Sequence, residues 1–282
     1  MKIAISAEST CDLLKEQIEE NDIKIVPFTI ILGDEVINDG PEAVDEIFDY
    51  FKKTKSLPKT SALNEEDYTK YFNSLLKDYD SVIHIALSSG LSSSYSHAVS
   101  SAEKLENVYV IDSQNLSTGI GLLVLYAKSL AVKGLKPKEI VEKVEKRKSS
   151  VQASFVIDKL DFLHKGGRCN ALALFGANLL KIHPQIIVSE GTMKPAKKYR
   201  GKMGKVVENY CADVLTEFNN ADKSIGFITH TTATPEMVEN AKKAMQEAGF
   251  ENIYETIAGG TITAHCGENV LGILYFNDGG NV

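Results

Sequence analysis

Short runs of β-branched and aliphatic residues alternate with amphipathic helical stretches almost from the first residue, and this alternation restricts the chain to an α/β class. Ile3–Ser6, Ile23–Leu32, Val82–Leu87 and Val108–Ile111 read as strands bounded by turn formers. Helical stripes lie between them. Behind a candidate cap at Asn64, the residues Tyr68, Tyr71, Phe72, Leu75 and Leu76 recur at i, i+3, i+4, i+7 and i+8. Tyr95, Ala98, Val99, Ala102 and Leu105 form another stripe. The order helix, strand, helix, strand, helix from Asn64 to about Lys133 predicts βαβ units on a parallel sheet. Ligands of such sheets collect outside the carboxyl ends of the strands, so the loops after Leu87 and Ile111 belong to the candidate ligand edge.

The second half mixes a strand (Val151–Ile157), an apolar helix (Ala171–Ile182), strands Gln185–Ser189 and Met193–Tyr199, and a helix over 203–219. Strand Ile225–His230, a helix capped by Thr234 with Pro235 at its first position, and strand Gly272–Phe276 complete it. A chain of 282 residues holds two domains of ordinary size. Pro137 opens a polar helix through Lys148 before the chain re-enters a strand, which predicts domains over 1–150 and 151–282.

Several functions are disfavoured by bulk chemistry. The formal charge of −7 and pI near 5.5 repel polyanions, so nucleic acid is not an expected partner. No apolar run approaches the ~20 residues that span a bilayer. The first strand begins at Lys2 and leaves no room for a signal peptide, so a cytoplasmic protein without a transmembrane segment is expected. Cys11, Cys169, Cys211 and Cys266 are scattered, with neither CxxC pairs nor zinc-ligand spacing, which signals neither disulfides nor a metal.

The segment Leu87-Ser88-Ser89-Gly90-Leu91-Ser92-Ser93-Ser94-Tyr95 joins a strand to a helix and presents several hydroxyls beside the N–H groups of a helix start. Such a point attracts an anion, whereas capping explains only one of the hydroxyls. Thr60-Ser61 is a second hydroxyl pair, read as a loop before the Asn64 helix. Gly90-Leu91-Ser92-Ser93-Ser94 begins like a nucleophile elbow, but Ser94 stands where that motif needs glycine. A serine esterase or thioesterase using Ser92 is therefore the rival reading. A phosphosugar or nucleotide enzyme lacks a dinucleotide or Walker-type fingerprint. In Asp112 through Gly121, Gly119 and Gly121 interrupt a helical pattern at about 1 kcal/mol each, which points to close backbone or ligand approach. Gly166 reads as a helix C-terminal residue, and Arg168 as a fork for an anion or a partner. His265 and Cys266 read as strand neighbours on opposite faces.

Together and in this order, these motifs resemble the DegV family of bacterial fatty-acid-binding proteins. Glu8-Ser9-Thr10-Cys11-Asp12 is similar to its opening D-S-T-x-D. Val26-Pro27, Gly33-Asp34 and Asp39-Gly40 are similar to its next stretch. Thr60-Ser61, Leu91 to Tyr95, Asp112 to Gly121, Lys165 to Arg168 and His265-x-Gly267 follow. Departures are Glu8 for Asp, Ser93-Ser94 for Gly-Thr, Glu268-Asn269 in the usual G-P-G, and Gly201 for Thr.

The resemblance implies a lipid tunnel between two α/β domains, the N-terminal one with a parallel sheet. It implies a carboxylate held by Thr60, Ser61, Ser92 and His265. Ser93, Ser94, Ser113, Ser117 and Gly119 are then nearby pocket or helix-start positions, and Arg168 and Arg200 contacts to a partner or phosphate. Candidate tunnel walls are Phe162, Leu163, Leu172, Leu174, Phe175 and Leu179. The implied role is non-catalytic: the chain takes a long-chain fatty acid, needs no cofactor or metal, and presents the acid to a separate ATP-dependent fatty acid kinase. The acyl phosphate so formed feeds phospholipid synthesis.

Overall fold

The structure, a computed structural model, describes residues 1–169 and 182–280. The chain opens with β1 (Ile3–Glu8), α1 (Lys15–Glu20), β2 (Ile23–Val26), β3 (Thr29–Leu32), β4 (Glu35–Asn38), α2 (Ala43–Thr54) and β5 (Lys59–Ser61). Next come α3 (Glu65–Leu75), β6 (Ser81–Ala86), α4 (Ser94–Ala102), β7 (Val108–Asp112), α5 (Thr118–Val132) and α6 (Pro137–Arg147). Strands β2-β1-β6-β7 form an entirely parallel sheet. The second strand in sequence lies outside the first, and the third on its other side. The order therefore reverses between β1 and β6, and the crevice beyond their carboxyl ends is the place where such sheets accept ligands.

The run expected as one strand over Ile23–Leu32 is two. Pro27 carries no N–H to continue a ladder, and the chain changes sheets there. Strand β3 pairs antiparallel with β4 and with β5, so Thr60 and Ser61 sit on a strand and not in a loop.

The second half contains β8 (Val151–Val156), α7 (Asp161–Lys165), β9 (His183–Ser189), β10 (Thr192–Tyr199), α8 (Met203–Glu217), β11 (Gly226–His230), α9 (Pro235–Glu247), β12 (Ile253–Ile257), α10 (Gly260–Cys266) and β13 (Leu271–Phe276). Its sheet, in the order β10-β9-β8-β13-β11-β12, is antiparallel except for β11 and β12. Apart from Ile182, the helix expected over Ala171–Ile182 lies outside the described residues, as do Leu172, Leu174, Phe175 and Leu179.

Helix α5 is apolar almost all round and correspondingly buried, as a helix enclosed on every side must be. It packs on β1 and β6 of one sheet and on β8 and β13 of the other. One hydrophobic cluster thus runs from Ile5 and Ile83 through Leu123 to Phe155 and Phe276. Helices α3 and α4 cover the outer face of the parallel sheet, and α8 and α9 that of the mixed one. The caps follow the sequence. Asn64 accepts the Asp67 N–H at 3.0 Å, and Thr234 that of Met237 at 3.4 Å, with Pro235 at the first position of α9.

Residues 260–266 form a helix although Thr261, Ile262 and Thr263 favour strands. Two buried carboxylates from the first half override that preference. Asp12 accepts the Gly259 N–H at 2.9 Å and Asp39 the Thr261 N–H at 2.7 Å, which satisfies donors that a helix start leaves open. The strand expected around His265 and Cys266 is corrected accordingly, and both side chains now reach one cavity.

Candidate functional site

A cavity of about 350 Å³ lies beyond the carboxyl ends of β1 and β6. Its walls come from β5, the turn after β6, α7's C-terminal side and α10. Thr60 and Ser61, Ser92, Arg168 and His265, from four distant parts of the sequence, border it together. Thr60 Oγ1 lies 3.0 Å from His265 Nε2, which ties β5 to α10. Strand alternation turns the next residue the other way. Ser61 stands exposed at the rim, with its hydroxyl donating to the Ala62 carbonyl at 3.4 Å. Ser92 Oγ accepts the Ser94 N–H at 3.2 Å, and Ser93 borders the cavity beside it.

Burial, reinforced by the Arg168 guanidinium, pushes the His265 imidazole down to about 4. The ring is therefore neutral at physiological pH and carries one N–H donor. Its Nδ1 faces Gly166 and has no hydrogen bond among the described residues. The glycine is required there, since a Cβ on Gly166 would stand 2.8 Å from His265 Nδ1 and 2.9 Å from the Phe162 carbonyl oxygen. Gly166→Ala is expected to displace the imidazole and to destabilise the fold by about 1–3 kcal/mol, measured by urea unfolding.

Other predicted positions divide. Ser94 is fully buried beneath the turn and does not border the cavity. Ser113 is used inside its own turn, donating to the Asn115 carbonyl and accepting the Asn115 N–H. The Ser117 hydroxyl is held by Asp12. Gly119 is occupied from within the chain, because Asn115 Oδ1 fills the space of a Cβ. Its company is a side chain and not a ligand. Arg200 stands exposed seven residues beyond Met193, roughly 20 Å along β10, and does not border the cavity as Arg168 does. Phe162 packs on Phe48 and Phe51 of α2, and Leu163 is fully buried in the core.

The elbow-like Gly90 has a different cause. The turn after β6 docks on the hairpin between β9 and β10, where Ser88 Oγ donates to the Gly191 carbonyl at 2.7 Å. A Cβ on Gly90 would stand 2.5 Å from that oxygen. Among the described residues no imidazole or carboxylate hydrogen-bonds Ser92 Oγ, although His97 and His265 border the same cavity. The Cys266 thiol is pushed up to about 12, chiefly by burial and further by the Asp12 charge and Cys169, so it stays protonated at physiological pH.

Inward from the hydroxyls the lining becomes apolar. Leu116, Ile262 and Cys266 are shared with a narrow second pocket whose exposed surface is mainly apolar, from Phe155, Val188, Val270 and Leu274, with Ser117, Ser154, Thr229, His230 and Thr231 also on its walls. Sequence reading missed Thr261 and Ile262, which their β-propensity disguised, and the buried acids that hold them. Carboxylates at Asp12 and Asp39 beside apolar strands were the available signal.

Comparison with known proteins decides the family. The profile described as an uncharacterised protein of the DegV family matches residues 2–278. The chain belongs to the DegV family. A DegV domain-containing protein of Caldanaerobacter subterraneus subsp. tengcongensis is 28% identical, over 97% of this chain and 98% of its own. The crystal structure of DegV, a fatty acid binding protein from Bacillus subtilis, gives a TM-score of 0.85 at 27% identity, covering 98% and 99% of the two chains. The Streptococcus pneumoniae fatty acid kinase B3 protein loaded with linoleic acid gives 0.84 at 22% identity, covering 99% and 100%, a likeness of fold. The DegV fold accounts for the mixed α/β architecture and its parallel sheet. No described helix is long and apolar enough to cross a membrane.

Proposed function

We propose that this DegV-family chain binds a long-chain fatty acid, and presents its carboxylate to a separate ATP-dependent fatty acid kinase without performing chemistry itself. The observation that carries the reading is the change of lining between two adjoining pockets that share Leu116, Ile262 and Cys266. Hydroxyls of Thr60, Ser61 and Ser92, a neutral imidazole and an arginine border the outer one, whereas the inner one exposes mainly apolar surface from Phe155, Val188, Val270 and Leu274. A carboxylate leaving water needs several donors, whereas an acyl chain needs a dry wall. The neutral His265 fits this role. With Nε2–H directed to Thr60 Oγ1, the threonine hydroxyl is free to donate to the ligand.

The acyl chain then lies between the parts formed by residues 1–150 and 151–282, beside α5 and the inner face of the mixed sheet. Arg168, exposed at the cavity edge, is the group that meets a phosphoryl donor or a kinase surface. The esterase reading through Ser92 has less support, since no imidazole or carboxylate is hydrogen-bonded to its Oγ among the described residues. Native mass spectrometry of the protein purified from bacterial cells tests the proposal. A bound mass equal to a long-chain fatty acid is expected. A clean apo mass, with no uptake of added oleate, would sink it.

A further inference from the structure

Beneath the cavity, and outside it, lies a closed set of polar groups that the binding reading does not use. Glu8, at the end of β1, is fully buried, as are Tyr68, His84 and Ser94. Glu8 Oε2 accepts the Leu87 N–H at 2.9 Å, and Oε1 accepts the Tyr68 hydroxyl at 2.7 Å. His84 Nε2 stands 3.3 Å from the same Oε1, while its Nδ1 meets Ser6 Oγ at 2.9 Å and Ser6 in turn meets Tyr71. Burial alone would raise the Glu8 carboxyl. The His84 charge, with hydrogen bonds from His84, Tyr68 and Leu87, outweighs burial and holds it below the ordinary carboxylate range.

Leu87 is the first residue of the turn that carries Ser92 and Ser93 to the cavity, and Leu87 itself borders the cavity. The acid therefore fixes the root of the turn. The far end meets the same tyrosine. Ser94 opens α4, and its hydroxyl lies beside that of Tyr68 with no hydrogen bond of good geometry to satisfy it. A buried hydroxyl without a hydrogen bond costs about 1–3 kcal/mol.

We propose that Glu8 and Ser94, both set beside the Tyr68 hydroxyl, are a matched pair of positioning residues that set the separation of the two ends of the Leu87–Ser94 turn and thereby the placement of Ser92 in the cavity. The proposal rests on the carboxylate reading of that cavity. Glutamate is needed because one carboxylate must reach both the Leu87 N–H and the Tyr68 hydroxyl. Serine is needed because the side chain at 94 shares a fully buried space with that hydroxyl. Shortening the acid leaves a gap on one side of the tyrosine, and enlarging the alcohol closes the gap from the other. The two positions are therefore coupled, as neighbours sharing one partner are.

The test compares wild type with Glu8→Asp, Ser94→Thr and the double variant. It reads oleate affinity by calorimetry, the Leu87 amide proton shift by NMR, and thermal melting. Each single change is expected to weaken oleate binding roughly tenfold and to move the Leu87 amide upfield as its charge-assisted bond lengthens. The double variant is expected to regain most of both. Losses that multiply in the double variant, or a lowered melting point with oleate affinity and amide shift untouched, would overturn the proposal. If Glu8→Asp does not fold, Tyr68→Phe deletes the shared hydroxyl alone and must reproduce the tenfold loss. Wild-type protein that ignores oleate refutes the carboxylate reading instead, and the amide shifts then decide separately whether Glu8 and Ser94 set the turn.

Discussion

Replacement of Ser92 and His265 together by alanine is expected to weaken binding of a long-chain fatty acid at least about 100-fold. Hydrogen bonds to a charged group contribute about 1.5–3 kcal/mol each when the group is desolvated, and the Ser92 donor is lost outright. Thr60 suffers indirectly. Its hydroxyl is oriented by His265 Nε2 at 3.0 Å, so the double variant removes or disturbs two of the three proposed hydroxyl donors. The control is the methyl ester of the same acid, which keeps the acyl chain and lacks the negative charge. Its affinity should be nearly equal in wild type and variant. Calorimetric titration of acid and ester against both proteins checks this. Equal losses for the two ligands would mean that the residues shape the pocket without recognising a carboxylate.

That experiment bears on residues separated by more than 170 positions, and the way they meet shows what the sequence could and could not reveal. The parallel half was legible because its signal is local. Asn64 capping a Tyr68-to-Leu76 stripe, then a buried strand, then a Ser-rich turn, defines a βαβ unit without reference to anything else. The turn after β6 could be placed at the ligand edge for the same reason. The small sheet was not legible. Its strands are three or four residues long, β4 is largely exposed, and the break at Pro27 is hidden inside an otherwise continuous apolar run. Thr60 and Ser61 were recognisable as hydroxyls, but only the pairing of β5 with β3 shows how Thr60 comes to face α10 while Ser61 stands at the rim.

Helix α10 marks the limit more sharply. Gly-Gly-Thr-Ile-Thr reads as a turn and a strand on intrinsic preference. It is helical because Asp12 and Asp39, more than 200 residues away, accept its first N–H groups. Local preference was overridden by a long-range electrostatic contact, and the residue so placed is His265. The same logic explains Gly119: it suits the approach of Asn115, a contact that no pattern in the helix itself predicts. Departures from the motif at Glu8 and Ser94 were visible in the sequence as isolated oddities, and only their shared contact with Tyr68 makes them one feature.

The acids that hold α10 carry the other large expected effect, a fall in stability as pH rises that Asp12→Asn removes. Burial raises the Asp12 carboxyl from 3.8 to about 8, opposed by hydrogen bonds from Ser117 and the Gly259 N–H and assisted by the Asp39 charge. Asp39 is raised as well, chiefly by burial, against hydrogen bonds from Ser9 and Thr261. For an acid whose folded pKa lies above its unfolded value, the proton is bound more tightly in the folded protein. Its stabilising contribution is complete below pH about 4 and disappears as pH rises toward 8. The full span of that shift corresponds to about 5 kcal/mol, comparable with the total stability of many domains. Asparagine mimics the protonated acid: its carbonyl accepts the Gly259 N–H and its amide donates to Ser117 Oγ. Urea unfolding at pH 6 and pH 9 should therefore show a marked loss in wild type, with a much smaller loss in Asp12→Asn. The variant should be the more stable protein at pH 9. An unchanged pH slope in the variant would place the titrating group elsewhere, with Asp39 the next to replace.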